Sequence, residues 1–314
     1  MKYILKKILM MIVTLIVVSM LVFLAFNLIP GDPALRKLGT EATPQQLENL
    51  RNEMGLNDPL YIRYIRWITG FVQGDLGESY TYGSVSSLLA GKLPITITLA
   101  VMAFIITVIC SIPLGIFAAK REGKIIDHII IVLDQVVMAI PPFFSGIILT
   151  LIFGLIFRIF TPGNFVSYEN DAMGFGSYLI FPAIAIALPK IAMSVKLLRG
   201  SLIEEMGKDY VRTAYSRGNT TRGVLYLHVL KNAIIPLITF MGMTLADMVS
   251  GSIVIEQVFN IPGLGRMLLT SINNRDYPVV EAIIMGIAIL VMVINLIVDI
   301  IYRFVDPRIE FIEE

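Results

Sequence analysis

The sequence predicts an all-α integral membrane protein with six transmembrane helices and a small helical extracytoplasmic region after the first. Three observations predict it. Of the 314 residues, 56% are hydrophobic and only 16% are charged, whereas soluble domains carry about 25% charged residues. Mean hydropathy is +0.79. Apolar runs recur at about the 20-residue length that a helix needs to cross ~30 Å of hydrocarbon.

The expected spans are roughly Ile8–Ile29, Leu93–Ala119, Ile125–Phe157, Tyr178–Leu198, Ala233–Ile255 and Val279–Tyr302. Lys2, Lys6 and Lys7 precede the first run, as in a secretory signal. The run exceeds an h-region of about 7–15 residues and no clear A-x-A site follows, so it is expected to stay as an uncleaved first helix. The third run is long enough to be tilted, kinked at Pro141-Pro142 or extended beyond the bilayer. Pro189-Lys190 makes the fourth the weakest.

Basic residues set the orientation. With six spans, both termini and two loops share one side, and that side holds 16 of the 25 Lys and Arg residues. Six more lie in the long Gly31–Pro94 loop, which crosses largely regardless of its charge. The positive-inside rule therefore predicts a multi-pass protein of the cytoplasmic membrane with both termini in the cytoplasm.

The outer loop carries helix signals. Thr43-Pro44 is an N-cap followed by proline at the first helical position, which predicts a helix through Met54. In Pro59–Val72, Leu60, Tyr61, Tyr64, Ile65, Trp67, Ile68 and Phe71 alternate with Arg63 and Arg66. This pattern suits an amphipathic helix on the membrane surface or a small extracytoplasmic packing layer.

Several chemistries have no signature here. There is no G-x-x-x-x-G-K-[ST], G-x-S-x-G, H-E-x-x-H or C-x-x-C, so no catalytic residue is assigned. His128 and His228 lack partners at zinc-site spacing, and no metal site is expected. Cys110 is the single cysteine, which excludes a disulfide framework. No feature points to nucleic acid.

Acidic residues inside apolar runs are more informative. Asp134, Asp247 and Asp299 cost about 2.5 kcal/mol or more each if near mid-bilayer. Asp134 and Asp299 fall near the cytoplasmic edge. Asp247 lies deeper, where it either faces a polar path or makes an interhelical hydrogen bond. Helix ends near Pro141, Pro142 and Pro236 either offer carbonyls to such a path or are structural kinks.

The most distinctive stretch is polar and basic. It contains Asp209-Tyr210-Val211-Arg212-Thr213-Ala214-Tyr215-Ser216-Arg217-Gly218, followed by Asn219, Thr220 and, further on, Asn232-Ala233-Ile234-Ile235-Pro236. Small Thr213 and Ala214 permit close approach to another surface. Gly218 permits a sharp turn, and Asn219 or Thr220 can cap a following helix toward Lys231. Helix, turn and helix would form a rigid protrusion at the membrane face.

This pattern resembles the coupling segment of ABC importer permeases, in particular the dipeptide/oligopeptide branch. Arg212-Thr213-Ala214 stands in place of the Glu-Ala-Ala that names the general motif. Other ordered stretches match the same branch. They are Pro30-Gly31-Asp32-Pro33, Gly55-Leu56-Asn57-Asp58-Pro59, Gly74-Asp75-Leu76-Gly77, Pro262-Gly263-Leu264-Gly265-Arg266, Asn274-Arg275-Asp276-Tyr277-Pro278 and Asp306-Pro307-Arg308. The long first outer loop points to the first of the family's two permease types. Asp247 departs from the pattern, which favours an uncharged residue there.

The resemblance implies a type I ABC importer permease fold, without an ATPase site of its own. The implied organisation is a first helix over 1–30 and an extracytoplasmic helical region over 31–92. A five-helix permease core over 93–304 follows, with its coupling segment at about 199–231, and then a cytoplasmic tail over 305–314. The implied partners are a second homologous permease, two cytoplasmic P-loop ATPases that carry ATP and Mg, and an extracytoplasmic peptide-binding protein. The implied function is ATP-driven peptide import. Asp209, Tyr210, Arg212, Thr213, Ala214, Arg217, Gly218, Asn219 and Thr220 would couple to an ATPase. Within the family, nickel chelate, glutathione or another small solute is the alternative cargo. Outside it, the rivals are a secondary transporter, which would show paired half-repeats and a midplane ion site, and a non-transporting membrane scaffold.

Overall fold

The computed structural model describes residues 2–29, 32–39 and 42–305. Pro30, Gly31 and Asp306-Pro307-Arg308, with the rest of the expected tail from residue 306 onward, lie outside the described residues. So do the side chains of Lys2 and Arg303.

Among the described residues, five helices are each long and apolar enough to span a membrane, and the number is six if the bent helix pair Ile125–Ala139 and Pro142–Ile156 counts as one span. The chain divides into two compact units, Met1–Thr96 with Pro262–Met292 and Ile97–Ile261 with Val293–Glu314. Residues 262–292 cluster with the amino-terminal segment.

In the first unit, α1 (Lys2–Leu28) is the opening apolar helix. Two short helices follow, α2 (Pro33–Leu38) and α3 (Pro44–Glu53). Asp32 caps α2 by accepting from the Ala34 amide at 3.0 Å. Its other oxygen holds Arg51 of α3, with Nε at 3.1 Å and Nη2 at 2.5 Å. Thr43 and Gln46 form a reciprocal capping box at the start of α3. The signal Thr43-Pro44 thus opens the helix it predicts. α4 (Leu60–Val72) packs on α1 through aromatic contacts of Phe23 with Tyr64 and Trp67, and Ser19 hydrogen-bonds Tyr64 at 2.8 Å. Its aromatic face is therefore a packing layer, while Leu60, Tyr61 and Ile65 remain exposed.

Two small strands qualify the all-α expectation. β1 (Glu78–Ser79) pairs antiparallel with β2 (Gly83–Ser84). Fully buried Asp276 anchors this hairpin by accepting from Ser79 Oγ at 2.5 Å and the Tyr80 amide at 3.1 Å. α13 (Leu264–Asn273), which the apolar-run pattern misses, begins in the Pro262–Arg266 motif. Thr96 Oγ1 accepts from the Leu264 amide at 2.9 Å. These bonds explain why residues 262–292 join this unit.

In the second unit, α8 (Ala172–Met206) is central, and α6 (Ile125–Ala139), α7 (Pro142–Leu149) and α12 (Ile235–Val258) pack against it. α8 runs through Pro189 without a break, although that residue was expected to weaken it. α6 and α7 break at Ile140-Pro141 with a 103° bend. The Pro141 carbonyl accepts from the Phe144 and Ser145 amides, so the kink caps the next helix. α7 continues as a π-helix over Thr150–Ile156. The helices α5 (Val85–Ala119) and α14 (Tyr277–Val305) belong partly to each unit. α5 starts eight residues before the expected span at Leu93.

Candidate functional site

The basic stretch folds as the expected helix, turn and helix. α9 (Asp209–Ser216) ends at Gly218, whose φ of +83° is the left-handed conformation that a glycine adopts without strain. A Cβ built on Gly218 would meet nothing within 4 Å. Asn219 reaches back, its Nδ2 donating to the Ala214 carbonyl at 3.0 Å. Thr220 is the N-cap and accepts from the Gly223 amide at 3.2 Å. The second arm runs through α10 (Thr221–Gly223), a π-helix over Val224–Val229 and α11 (Leu230–Ala233). α12 follows, with Pro236 in its first turn.

The two faces of α9 have different roles. Val211 and Ala214 are buried, in one apolar cluster with Leu198 and Leu202 of α8 and Leu237 of α12. The small size of Ala214 therefore serves packing within this chain. Asp209, Arg212, Thr213, Arg217 and Gly218 are exposed. Arg212 and Asp209 approach only to 3.9 Å at more than 80% exposure each, a geometry worth little. The outward face is consequently polar, charged and uncommitted to the rest of the chain.

Tyr210 fixes the root of the protrusion. Its hydroxyl donates to Glu205 at 2.6 Å and accepts from Asn232 Nδ2 at 3.3 Å, joining α8, α9 and α11. Burial, and then the Glu205 carboxylate, raises the Tyr210 hydroxyl pKa, which keeps it a donor. Lys208 also pairs with Glu205, and that bond raises the Lys208 pKa.

Two further anchors were not singled out from sequence. Arg199 of α8 forms a bidentate pair with Asp127 of α6, at 2.6 and 2.7 Å, and Asp127 is 1% exposed. The Gly123 amide also donates to Asp127 at 3.0 Å. Lys120, at the end of α5, donates to the Tyr226 hydroxyl at 3.0 Å and lies over its ring. Opposite charges at the expected cytoplasmic edges were the available signal, but sequence spacing does not say which pairs meet.

Asp247 is the thirteenth residue of the 24-residue α12, about 18 Å along the helix from its start. It accepts from Lys190 Nζ of α8 at 3.0 Å and remains 66% exposed. The interhelical bond weighed from sequence is present, and the carboxylate still faces outward. The sequence treats Lys190 only as an interruption beside Pro189, whereas it is the counter-charge. Pro141 and Pro142 lie at the bend between α6 and α7, and Asp247 lies at the pair with Lys190. No cluster of His, Cys, Asp or Glu able to hold a metal occurs among the described residues.

Comparison with known proteins agrees with this architecture. Residues 111–311 match the family described as binding-protein-dependent transport system inner membrane component, and residues 1–100 match its N-terminal companion. A probable peptide ABC transporter permease protein of Sinorhizobium fredii is 35% identical over 310 residues, covering 98% of this chain and 99% of the relative. An oligopeptide transport system permease protein of Bacillus subtilis is 36% identical, with coverage of 98% and 99%. A glutathione transport system permease protein of Salmonella paratyphi A is 34% identical, again with coverage of 98% and 99%. The chain belongs to the family of binding-protein-dependent inner membrane transport components, the permease subunits of ABC importers.

Proposed function

We propose that this chain forms half of the translocation path of an ATP-driven peptide importer, with residues 209–220 as its contact to a cytoplasmic ATPase. The observation that carries the reading is the α9 hairpin, with its inward face locked into the helix core and its outward face polar and exposed. Such an element transmits a push on its tip to α8 and α12 as a rigid body. The peptide and oligopeptide relatives support the cargo class. The glutathione relative supports a small thiol peptide as the second reading.

In this mechanism a second, homologous permease completes the path and two P-loop ATPases bind ATP and Mg below it. An extracytoplasmic binding protein delivers the cargo. Both termini face the cytoplasm, in keeping with the excess of Lys and Arg that this topology places on that side. ATPase closure on ATP moves the hairpin and opens the path outward. Hydrolysis resets it. Asp247 with Lys190, and the Pro141-Pro142 bend, border the path. An exposed carboxylate near mid-span is costly against lipid, which favours a polar surrounding.

Gly218→Glu tests the coupling assignment. A Cβ at position 218 meets nothing within 4 Å, so the first side-chain atom finds open space. Gly218→Asn, which tolerates positive φ, controls for backbone strain. Uptake should be lost in the Glu variant with membrane insertion intact, and largely kept in the Asn variant. Normal uptake with Glu would contradict the assignment.

A further inference from the structure

The first unit holds a half-open cavity of about 320 Å³ that the import mechanism leaves unused. Phe23 and Phe26 of α1, Trp67 of α4, Tyr80 of the β1–β2 turn and Tyr277 of α14 supply aromatic walls. Glu281 of α14 also lines it, is 8% exposed, and makes no hydrogen bond or ion pair among the described residues. Arg63 of α4 lines it, is half-buried, and likewise lacks such a partner among the described residues.

The neighbouring charges are already committed. Arg66 holds Asp58 at 2.7 Å, Asp75 accepts from the Gly77 amide at 3.0 Å, and Asp276 holds Ser79 and Tyr80. Glu281 and Arg63 are close enough to interact electrostatically, yet do not close to the 4.0 Å of a salt bridge. An acidic and a basic side chain without partners among the described residues therefore line one aromatic cavity. A buried carboxylate without a partner is unfavourable. Aromatic faces favour an organic ammonium beside it. The volume lies at the small end of ligand sites, about 300–1,000 Å³.

We propose that this cavity binds a small zwitterion, an amino acid or dipeptide, with its ammonium on Glu281 and its carboxylate on Arg63. The site shares no residue with the Lys190–Asp247 pair, and its occupancy is measurable without transport.

Trp67 is the only tryptophan in the chain, so its fluorescence reads the cavity directly. The experiment titrates the full-length chain in lipid vesicles with L-alanine and L-alanyl-L-alanine, then with their N-acetylated and C-amidated forms. A saturable change is expected with the free forms, and blocking either end should weaken binding by about tenfold, as for loss of one charge-assisted bond. Glu281→Gln should abolish discrimination at the ammonium end alone. Arg63→Gln should abolish it at the carboxylate end alone. If Glu281→Gln does not fold, Arg63→Gln and the blocked ligands carry the same test. No saturable change at millimolar ligand, or equal binding of free and blocked forms, would overturn the proposal.

Discussion

Arg199 grips Asp127 with two nitrogens of its guanidinium, at 2.6 and 2.7 Å, and so ties α8 to α6 just ahead of the α9 hairpin. Asp127 is almost wholly buried and Arg199 largely so. Removing one partner strands the other charge, which costs about 3–5 kcal/mol. Asp127→Asn and Arg199→Met are each expected to lower the melting temperature of the purified chain clearly. An unchanged melting temperature in either would show that the pair is dispensable.

The Lys190–Asp247 pair separates a structural role from a path role. Neutralising one member leaves a bare charge near mid-span, at about 2.5 kcal/mol or more. Asp247→Asn and Lys190→Gln alone should therefore reduce the inserted yield. The double variant should restore yield while uptake stays impaired, because the path surface has lost both charges. Full recovery of uptake in the double variant would assign the pair to packing alone.

Asp32 and Arg51 link the stability of α2 and α3 to pH. The Arg51 hydrogen bond, ahead of the amide bond from Ala34, holds the Asp32 pKa below its ordinary value. A depressed folded-state pKa contributes stability that is present above the unfolded value, about 3.9, and is lost as pH falls through the folded value. Hydrogen exchange in α2 and α3 should accelerate over that acid range. Arg51→Gln should remove most of the dependence, and an unaltered profile would contradict the linkage.

Two glycines in spans should respond oppositely to alanine. A Cβ on Gly146 of α7 would lie 2.9 Å from Phe259 Cε2, whereas one on Gly251 of α12 would meet nothing within 4 Å. Gly146→Ala is expected to cost about 1–3 kcal/mol by overpacking. Gly251→Ala should be neutral or stabilising, since alanine favours a helix by about 1 kcal/mol. Melting temperatures of the two variants check the contrast.

Much of this was legible in the chain because the bilayer imposes length and polarity on each span. Apolar runs located every span to within several residues, and Thr43-Pro44 marked the start of α3. Gly218 and Thr220 marked the turn and cap of the hairpin for local reasons, backbone handedness and an orphan amide. Long-range partners were not legible. Lys190 reaches Asp247 across 57 positions, and Ser79 reaches Asp276 across 197. Such pairings depend on helix packing, which no local period encodes. The inward orientation of Ala214 was hidden because a small residue suits close approach on either face.

The central claim is that the α9 hairpin contacts an ATPase. Its most direct test is disulfide crosslinking from Arg217→Cys, in a background where the single native cysteine, Cys110, is replaced by serine. The assembled complex is probed in native membranes. The account predicts an adduct between position 217 and a P-loop ATPase subunit, with a yield that changes on ATP binding. Adducts with other proteins only, from a complex in which the ATPase is demonstrably present, would contradict it.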